Sequence, residues 1–406
     1  MARPEFPPTR DTHALVLDAF RTRFVREPEF VVRAPGRVNL IGEHTDYTGG
    51  LVLPFAIDRA LHLAVAPRGD DRVYAFACDL AAEGEEVEFA VGDAATTGFG
   101  AYLSGAIAAS LEQGEHPGGM DLVIASDIPV GSGLSSSAAL CVAVAIAIDR
   151  LLGADFSALR CARRAHRAES HFVGTGCGIL DPFAIALCGA GHALRIDCED
   201  ESTRSVPLPV AELSFVISHS GVSRELAGPA AGQGYRDRVA QCARGLEGIV
   251  ASEPDAAPRS LRALSPDGLV RFAGQLDEVD FRRVRHVVGE NARVDRVCRL
   301  LEAEPPIGLA AVGAEIRASH ASLRDDYEVS IPQLDMLCEI ADAQDGVYGS
   351  RLLGAGFGGC ALHLVKPEAV DAVCDVLGAR YRDRFGKDTE VFGVKAAAGA
   401  GIEAVE

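Results

Sequence analysis

The stretch from Ala34 to Pro54, APGRVNLIGEHTDYTGGLVLP, sets Arg37, Glu43, His44 and Asp46 among glycines, with apolar residues on both sides. Two carboxylates and an imidazole held this close together offer acceptors in fixed directions, which suits a ligand rich in hydroxyl groups. A charged surface loop is the ordinary meaning of such a run. The apolar flanks instead predict a loop fixed against a core. His44 has no metal-ligand partner at a helpful spacing, which argues against zinc.

A second segment, PVGSGLSSSAAL (129–140), leads from a strand through Gly131, Ser132, Gly133 and Leu134 into Ser135, Ser136, Ser137 and a long apolar run. Glycines let a backbone approach a ligand closely. The first turn of a helix adds unpaired N–H groups and the positive end of its dipole. With three hydroxyls these make an anion site suited to phosphate. A serine N-cap alone would need neither the glycines nor all three serines. The segment is not a Walker A loop, because G-x-x-x-x-G-K-[ST] is absent.

Two further segments are ambiguous alone. LLGAGFGGCALHLV (352–365) holds Gly354, Gly356, Gly358 and Gly359 in a formal G-x-G-x-x-G. A strand-like alternation follows it where a dinucleotide fold needs a helix. That leaves a glycine turn between strands, able to close over a ligand beside the phosphate loop. In CGILDPFAIAL (177–187), Asp181 stands among apolar residues. It is either an N-cap with Pro182 as the first helical residue, or a carboxylate that needs a cation such as Arg37.

The elements that must position these residues alternate. The pattern predicts a short helix over 13–26, strands at 29–35, in LVLPFAI and LHLAVAP, and at 120–130, and a loop over 92–100. Helices follow over 101–113, within 131–153 and over 157–173, with strands at 191–198 and 213–220. Residues 235–345 read as mostly helical. The end alternates again over 346–365, then gives a helix over 367–385 and a strand near 389–395. The change of character places a boundary near residues 200–215, dividing the chain into domains 1–210 and 211–406, each of a size to hold its own core.

The chain has 406 residues and a formal net charge of −19. A basic face for nucleic acid or anionic membrane is not expected from that balance. Eleven scattered cysteines without C-x-x-C suggest reduced thiols. The N-terminal residues carry no apolar core of a signal peptide, and the longest apolar run, 138–148, is too short to span a bilayer. The expectation is a cytoplasmic protein, acting as a monomer on small molecules, without nucleic-acid or membrane partners.

Together the segments resemble the galactokinase branch of the GHMP family of small-molecule kinases. GRVNLIGEHTDYTGG is similar to the galactokinase signature, PVGSGLSSSA to the family's ATP loop and GAGFGGC to its third motif. CGILDPF, GHALRIDC, RHVVGEN and SLRDDYEVSIPQLD fall in the family's order. The resemblance implies an α/β (α+β) fold with a ribosomal-protein-S5-like N-terminal domain and a ferredoxin-like C-terminal domain, with the active site in the cleft between them. It implies a sugar 1-kinase that uses ATP and Mg²⁺ to make α-D-galactose 1-phosphate. Asp181 would face the anomeric hydroxyl with Arg37 beside it. Glu43, His44, Asp46, Gly178 and Tyr235 would bind sugar. Gly131–Ser136 would wrap the phosphates, and Ser137 and Glu169 would hold Mg²⁺.

Some positions depart from the family pattern. Pro182 replaces the usual Gln after the catalytic Asp. LAGPAAGQGY before Tyr235 is longer than the family's link. The chain has no Trp, so Phe99 is the residue expected near adenine, and Leu353 stands where Thr is common. These keep open a kinase for another sugar, such as N-acetylgalactosamine, L-arabinose or a biosynthetic sugar. A sugar- and ATP-binding regulator without turnover is the alternative of a different class; the intact GLSSSA loop and the presence of both Arg37 and Asp181 favour the enzyme.

Overall fold

The computed structural model describes residues 10–80, 84–94, 98–129, 131–175, 177–222, 233–254, 258–304 and 308–405. In chain order the strands are β1 (Phe30–Asn39), β2 (Leu51–Val52), β3 (Pro54–Pro67), β4 (Arg72–Ala77), β5 (Glu85–Ala90), β6 (Met120–Ser126), β7 (His192–Asp197), β8 (Thr203–Pro207), β9 (Ser214–His219), β10 (Val347–Leu352), β11 (Cys360–Val365), β12 (Val391–Val394) and β13 (Gly401–Glu403). The helices are α1 (Thr12–Phe24), α2 (Gly98–Leu111), α3 (Ser136–Leu151), α4 (Ala158–Arg167), α5 (Leu180–Leu187), α6 (Gln233–Ser252), α7 (Pro266–Leu269), α8 (Glu278–Leu301), α9 (Leu309–Asp325), α10 (Pro332–Asp342) and α11 (Val370–Phe385).

Three sheets organise the described residues. A six-stranded sheet runs in the order β13-β1-β3-β6-β4-β5, a four-stranded one β10-β11-β9-β12, and a three-stranded one β2-β7-β8. Every pair is antiparallel except β4 with β6. Of the two apolar runs expected as separate strands, Leu51–Val52 form β2 while the rest joins into one strand, β3, whose only interior residue facing solvent is Asp58. β4, β5, β8 and β13 carry weaker patterns and were not expected. The expected loop over 92–100 gives way to α2 at Gly98.

The four-stranded sheet begins at Ser214; one buried cluster lies wholly in the second half, from Val216 to Tyr381, and a larger one spans both halves. Phe55 of β3 packs on Phe215 of β9 with ring centroids 4.4 Å apart. The larger cluster runs without a break from β1 and α3 to β9, β11 and β12. β13 also returns to the first sheet, with Val31 opposite Glu403.

Two local features aim the chemistry. β1 changes register between Pro35 and Arg37, a bulge that re-aims the following side chain. Gly36 fits there because a Cβ would lie 3.0 Å from the Leu134 carbonyl, which also accepts the Arg37 N–H at 3.1 Å. The second feature is α3, buried on all sides from Ala138 to Asp149, as its continuous Ala, Val and Ile content dictates. Asp149 at its far end accepts from Arg164 at 2.7 Å and from Arg160 at 2.7 Å on α4. Arg164 is fully buried. This ion cluster locks α3, which starts with the serines, to α4, which leads into Glu169.

Asp149→Ala would leave the buried Arg164 with Glu115 as its remaining carboxylate partner. It should lower unfolding free energy by about 2–3 kcal/mol, read as a fall in the urea midpoint with unchanged slope.

Candidate active site

A cleft of about 760 Å³ gathers most of the chemistry-bearing residues. Arg37 comes from the bulge in β1. Glu43, His44 and Asp46 come from the turn after it. Gly131, Gly133, Ser135, Ser136 and Ser137 come from the loop and first turn of α3. Glu169 follows α4, Gly178 and Asp181 lie at the start of α5, Tyr235 opens α6, and Gly354 follows β10.

Arg37 is the hub. Its Nε donates to Asp181 Oδ1 at 2.6 Å, and its Nη1 donates to the Gly133 carbonyl at 2.5 Å. The hydroxyl of Ser135 donates to Asp181 Oδ2. Sequence reasoning had assigned Ser135 only to the phosphate loop. Its left-handed backbone, φ 64°, lets it turn toward Asp181 as α3 begins. Asp181 is not an N-cap. α5 begins at Leu180, so Asp181 and Pro182 both lie in the first turn, where a missing N–H leaves no helical bond unmade.

The polar turn is rigid. Glu43 Oε1 accepts from Arg351 at 2.9 Å and from the Gly354 N–H at 2.7 Å. Burial pushes the Glu43 carboxyl up, but Arg351, the Gly354 amide and Arg37 outweigh it and hold it below the usual range. His44 Nε2–H donates to the Ala355 carbonyl at 3.1 Å and its Nδ1 accepts from Tyr47 at 2.8 Å. Both ring nitrogens are therefore engaged inside the protein, and burial takes the imidazole down to about 3. His44 meets the cleft as a neutral ring. Asp46 keeps part of its surface open to the cleft. Burial, then the charge of Asp181, raises its carboxyl to about 7. A Cβ on Gly178 would lie 2.2 Å from Asp46 Oδ2, so any larger residue there would push the Asp46 carboxylate aside. Tyr235 packs its ring on His44 and Tyr47, at centroid distances of 5.8 and 5.3 Å. The long segment before it, 223–232, lies outside the described residues.

Helix α8 holds this turn from behind. Glu290 accepts from the Gly42 N–H at 3.0 Å, Asn291 from the Leu51 N–H at 2.7 Å, and His286 donates to the Glu43 carbonyl at 3.1 Å. These three lie in RHVVGEN, whose spacing of i, i+4 and i+5 places them on one helix face. Sequence reasoning noted the segment but gave its residues no task, and it did not single out Arg351 at all.

On the opposite wall, Ser137 donates to Glu169 Oε1 at 2.8 Å. Glu169 Oε2 is buried with no partner among the described residues. Burial, then Asp181, raises this carboxyl to about 8. Some expected residues turn elsewhere. Phe99 is buried in the core and does not line the cleft; Tyr102, three residues along α2, does. Ser132 donates to the Pro129 carbonyl at 2.7 Å and Leu134 is core, which leaves these two only their backbone for a ligand. Gly356 and Gly358 shape the β10–β11 turn: a Cβ would meet the carbonyls of Val329 at 2.3 Å and Val222 at 2.6 Å.

The cleft thus places acceptors for hydroxyl groups beside a paired carboxylate, with an anion-binding helix end across from them. Known proteins resemble this chain. Residues 18–67 match the galactokinase galactose-binding signature, 101–189 the GHMP kinases N terminal domain and 307–383 the GHMP kinases C terminal domain. The chain is 40% identical over 386 residues to the galactokinase of Roseiflexus sp., covering 95% of each. It is 38% identical over 395 residues to that of Streptomyces coelicolor, covering 94% of this chain and 96% of the relative. The structure of Lactococcus lactis galactokinase complexed with galactose superposes with a TM-score of 0.88 at 31% identity, covering 96% of this chain and 99% of that one. Methanococcus jannaschii mevalonate kinase, at 18% identity and a TM-score of 0.62 over 90% of this chain and 98% of that one, shares the fold. A signature specific to one branch spans the polar turn, and relatives of that branch match along nearly their full length: the chain belongs to the galactokinase family of GHMP kinases.

Proposed function

We propose that the protein transfers the γ-phosphoryl group of ATP to the anomeric hydroxyl of D-galactose, giving α-D-galactose 1-phosphate and ADP. The observation that carries this reading is the Arg37–Asp181–Ser135 cluster, set between the polar turn and the N-terminus of α3. Glu43, Asp46 and Tyr235 receive the sugar hydroxyls, with the ring of His44 as part of the wall. The backbone from Gly131 to Ser136 and the end of α3 receive the phosphates, as a helix N-terminus does. Tyr102 and Val173 form a wall for the base.

In the reaction the anomeric O–H proton passes to Asp181 as the oxygen forms its bond to the γ-phosphorus. The bond from that phosphorus to the β-bridging oxygen breaks, and its electron pair leaves with ADP. Arg37 keeps Asp181 oriented and offers positive charge to the transferred group. Such transfer depends chiefly on positioning and charge stabilisation.

Ser137 and Glu169 suit Mg²⁺. Both present hard oxygen donors, and the unpartnered Glu169 Oε2 is a buried acceptor that a cation would satisfy. When bound there, Mg²⁺ neutralises phosphate charge. The same reading makes the protein cytoplasmic and monomeric. Among the described residues no helix is long and apolar enough to cross a membrane.

The test is ATP turnover against a sugar panel with Mg²⁺, the phosphate position read by NMR. Galactose 1-phosphate as the preferred product is expected; binding without turnover of any sugar would sink the proposal. Asp181→Asn and Arg37→Ala should each lower kcat by roughly 10²–10⁴-fold, with melting temperature within a few degrees of the parent. Near-parental turnover in either would overturn the assigned roles.

Asp46 gives a pH dependence. Its folded pKa of about 7 lies above the usual 3.8, so the free protein keeps this proton below pH 7 and the full acceptor forms above it. The KM for galactose should therefore fall between pH 6 and 8, and Asp46→Asn should raise KM and flatten that trend. An ionised Asp46 also weakens the fold. The unfolded chain ionises it from about pH 4 and the folded one only near 7, so the thermal stability gained by Asp46→Asn should grow over that window and level off above it.

A further inference from the structure

The third glycine segment meets the sugar side of the cleft, and the residue that governs this contact is Arg351 on β10. Its side chain is fully buried. Nε donates to the Leu40 carbonyl at 2.9 Å, Nη1 to the Leu352 carbonyl at 3.0 Å, and Nη2 to the Asn39 carbonyl and to Glu43 Oε1. A planar guanidinium reaches these four acceptors at once; an ammonium has three donors and no plane. The same Glu43 oxygen accepts the Gly354 N–H. Oε1 is thereby taken up, and Glu43 meets the cleft with Oε2 as its acceptor.

The backbone of Glu43 is held separately. His286 donates to its carbonyl and Glu290 accepts from Gly42 N–H, both from α8. Arg351 thus supports both the carboxylate and the backbone leading into the turn, while α8 holds Gly42 and the Glu43 carbonyl independently. Loss of Arg351 takes the charged donor from Glu43 and leaves only the Gly354 N–H on Oε1, while α8 still holds the turn.

We propose that Arg351 is a positioning residue for sugar selectivity, fixing one oxygen of Glu43 so that the other meets one particular sugar hydroxyl. This rests on the protein being a galactose kinase. It makes Arg351 and Glu43 one unit whose effect is confined to a single position of the sugar ring.

The experiment compares the parent, Arg351→Lys and Glu43→Gln on galactose and on each monodeoxygalactose, by steady-state kinetics at saturating ATP and by calorimetric sugar binding without ATP. R351K should raise the galactose KM roughly tenfold, as loss of an oriented charged hydrogen bond does. The KM for ATP should stay within twofold. The penalty should vanish for one deoxygalactose, the same one that erases the penalty of E43Q. An equal loss on every deoxy sugar, or an equal rise in the KM for ATP, would overturn the proposal. If R351K does not fold, the double variant E43Q/R351M, which removes both buried charges, decides. Its sugar profile should equal that of E43Q, and a further loss spread over all sugars would refute the unit. A parent that prefers another sugar would refute galactose as substrate, and the comparison then runs on the deoxy series of that sugar.

Discussion

Carboxylate crowding is the constraint around which the cleft is built. Glu43, Asp46, Glu169 and Asp181 share one cavity, and four anions in a partly dry space repel one another. The fold divides them into two kinds. Asp181 has Arg37, and Glu43 has Arg351, each within hydrogen-bond distance. Among the described residues Asp46 and Glu169 have no cation within hydrogen-bond distance, and they hold their protons to about 7 and about 8. Arg37 also ties its Asp181 to the Gly133 carbonyl. The same contact that balances charge thus ties the start of α5 to the loop before α3.

Rigidity comes from elements far away in sequence. The polar turn has little regular structure of its own, only a short 3-10 turn at Asp46–Thr48. Its shape is imposed by α8 behind it and by the turn after β10 across from it. Glu290, at the centre of that support, is ionised despite full burial. Burial pushes its carboxyl up, but Arg293, His286 and Arg351 outweigh that and bring it to about 2. The continuous core between β3 and β9 lets supports from the second half act on a turn in the first.

The parts of the site legible in the sequence were those whose chemistry is local. Glycines followed by serines at a helix start announce an anion site because helix ends leave N–H groups unpaired. Arg37, Asp46 and Asp181 stood out as charges among apolar flanks. What stayed hidden was non-local. Nothing in YGSRLLG separates Arg351 from a surface arginine until β10 is seen to run beside the end of β1. His44 looked like a ligand group, since its spacing gives no hint that Tyr47 and Ala355 occupy both nitrogens. Phe99 and Tyr102 lie on the same helix, and only the packing of α2 decides which faces the cleft. The strands β5 and β8 were missed because they lie at sheet edges, where charged residues dilute the alternation.

The return of β13 has a kinetic meaning. β1, the strand that carries Arg37, is paired on one edge by β3 but on the other only by residues 401–403. Val31 meets Glu403, so on a ribosome adding about 5–20 residues per second that edge waits roughly 20–75 seconds for its partner. An unpaired edge is open to other chains for that time. The nascent polypeptide thus carries the strand that holds Arg37 half-covered until residues 401–403 have been made.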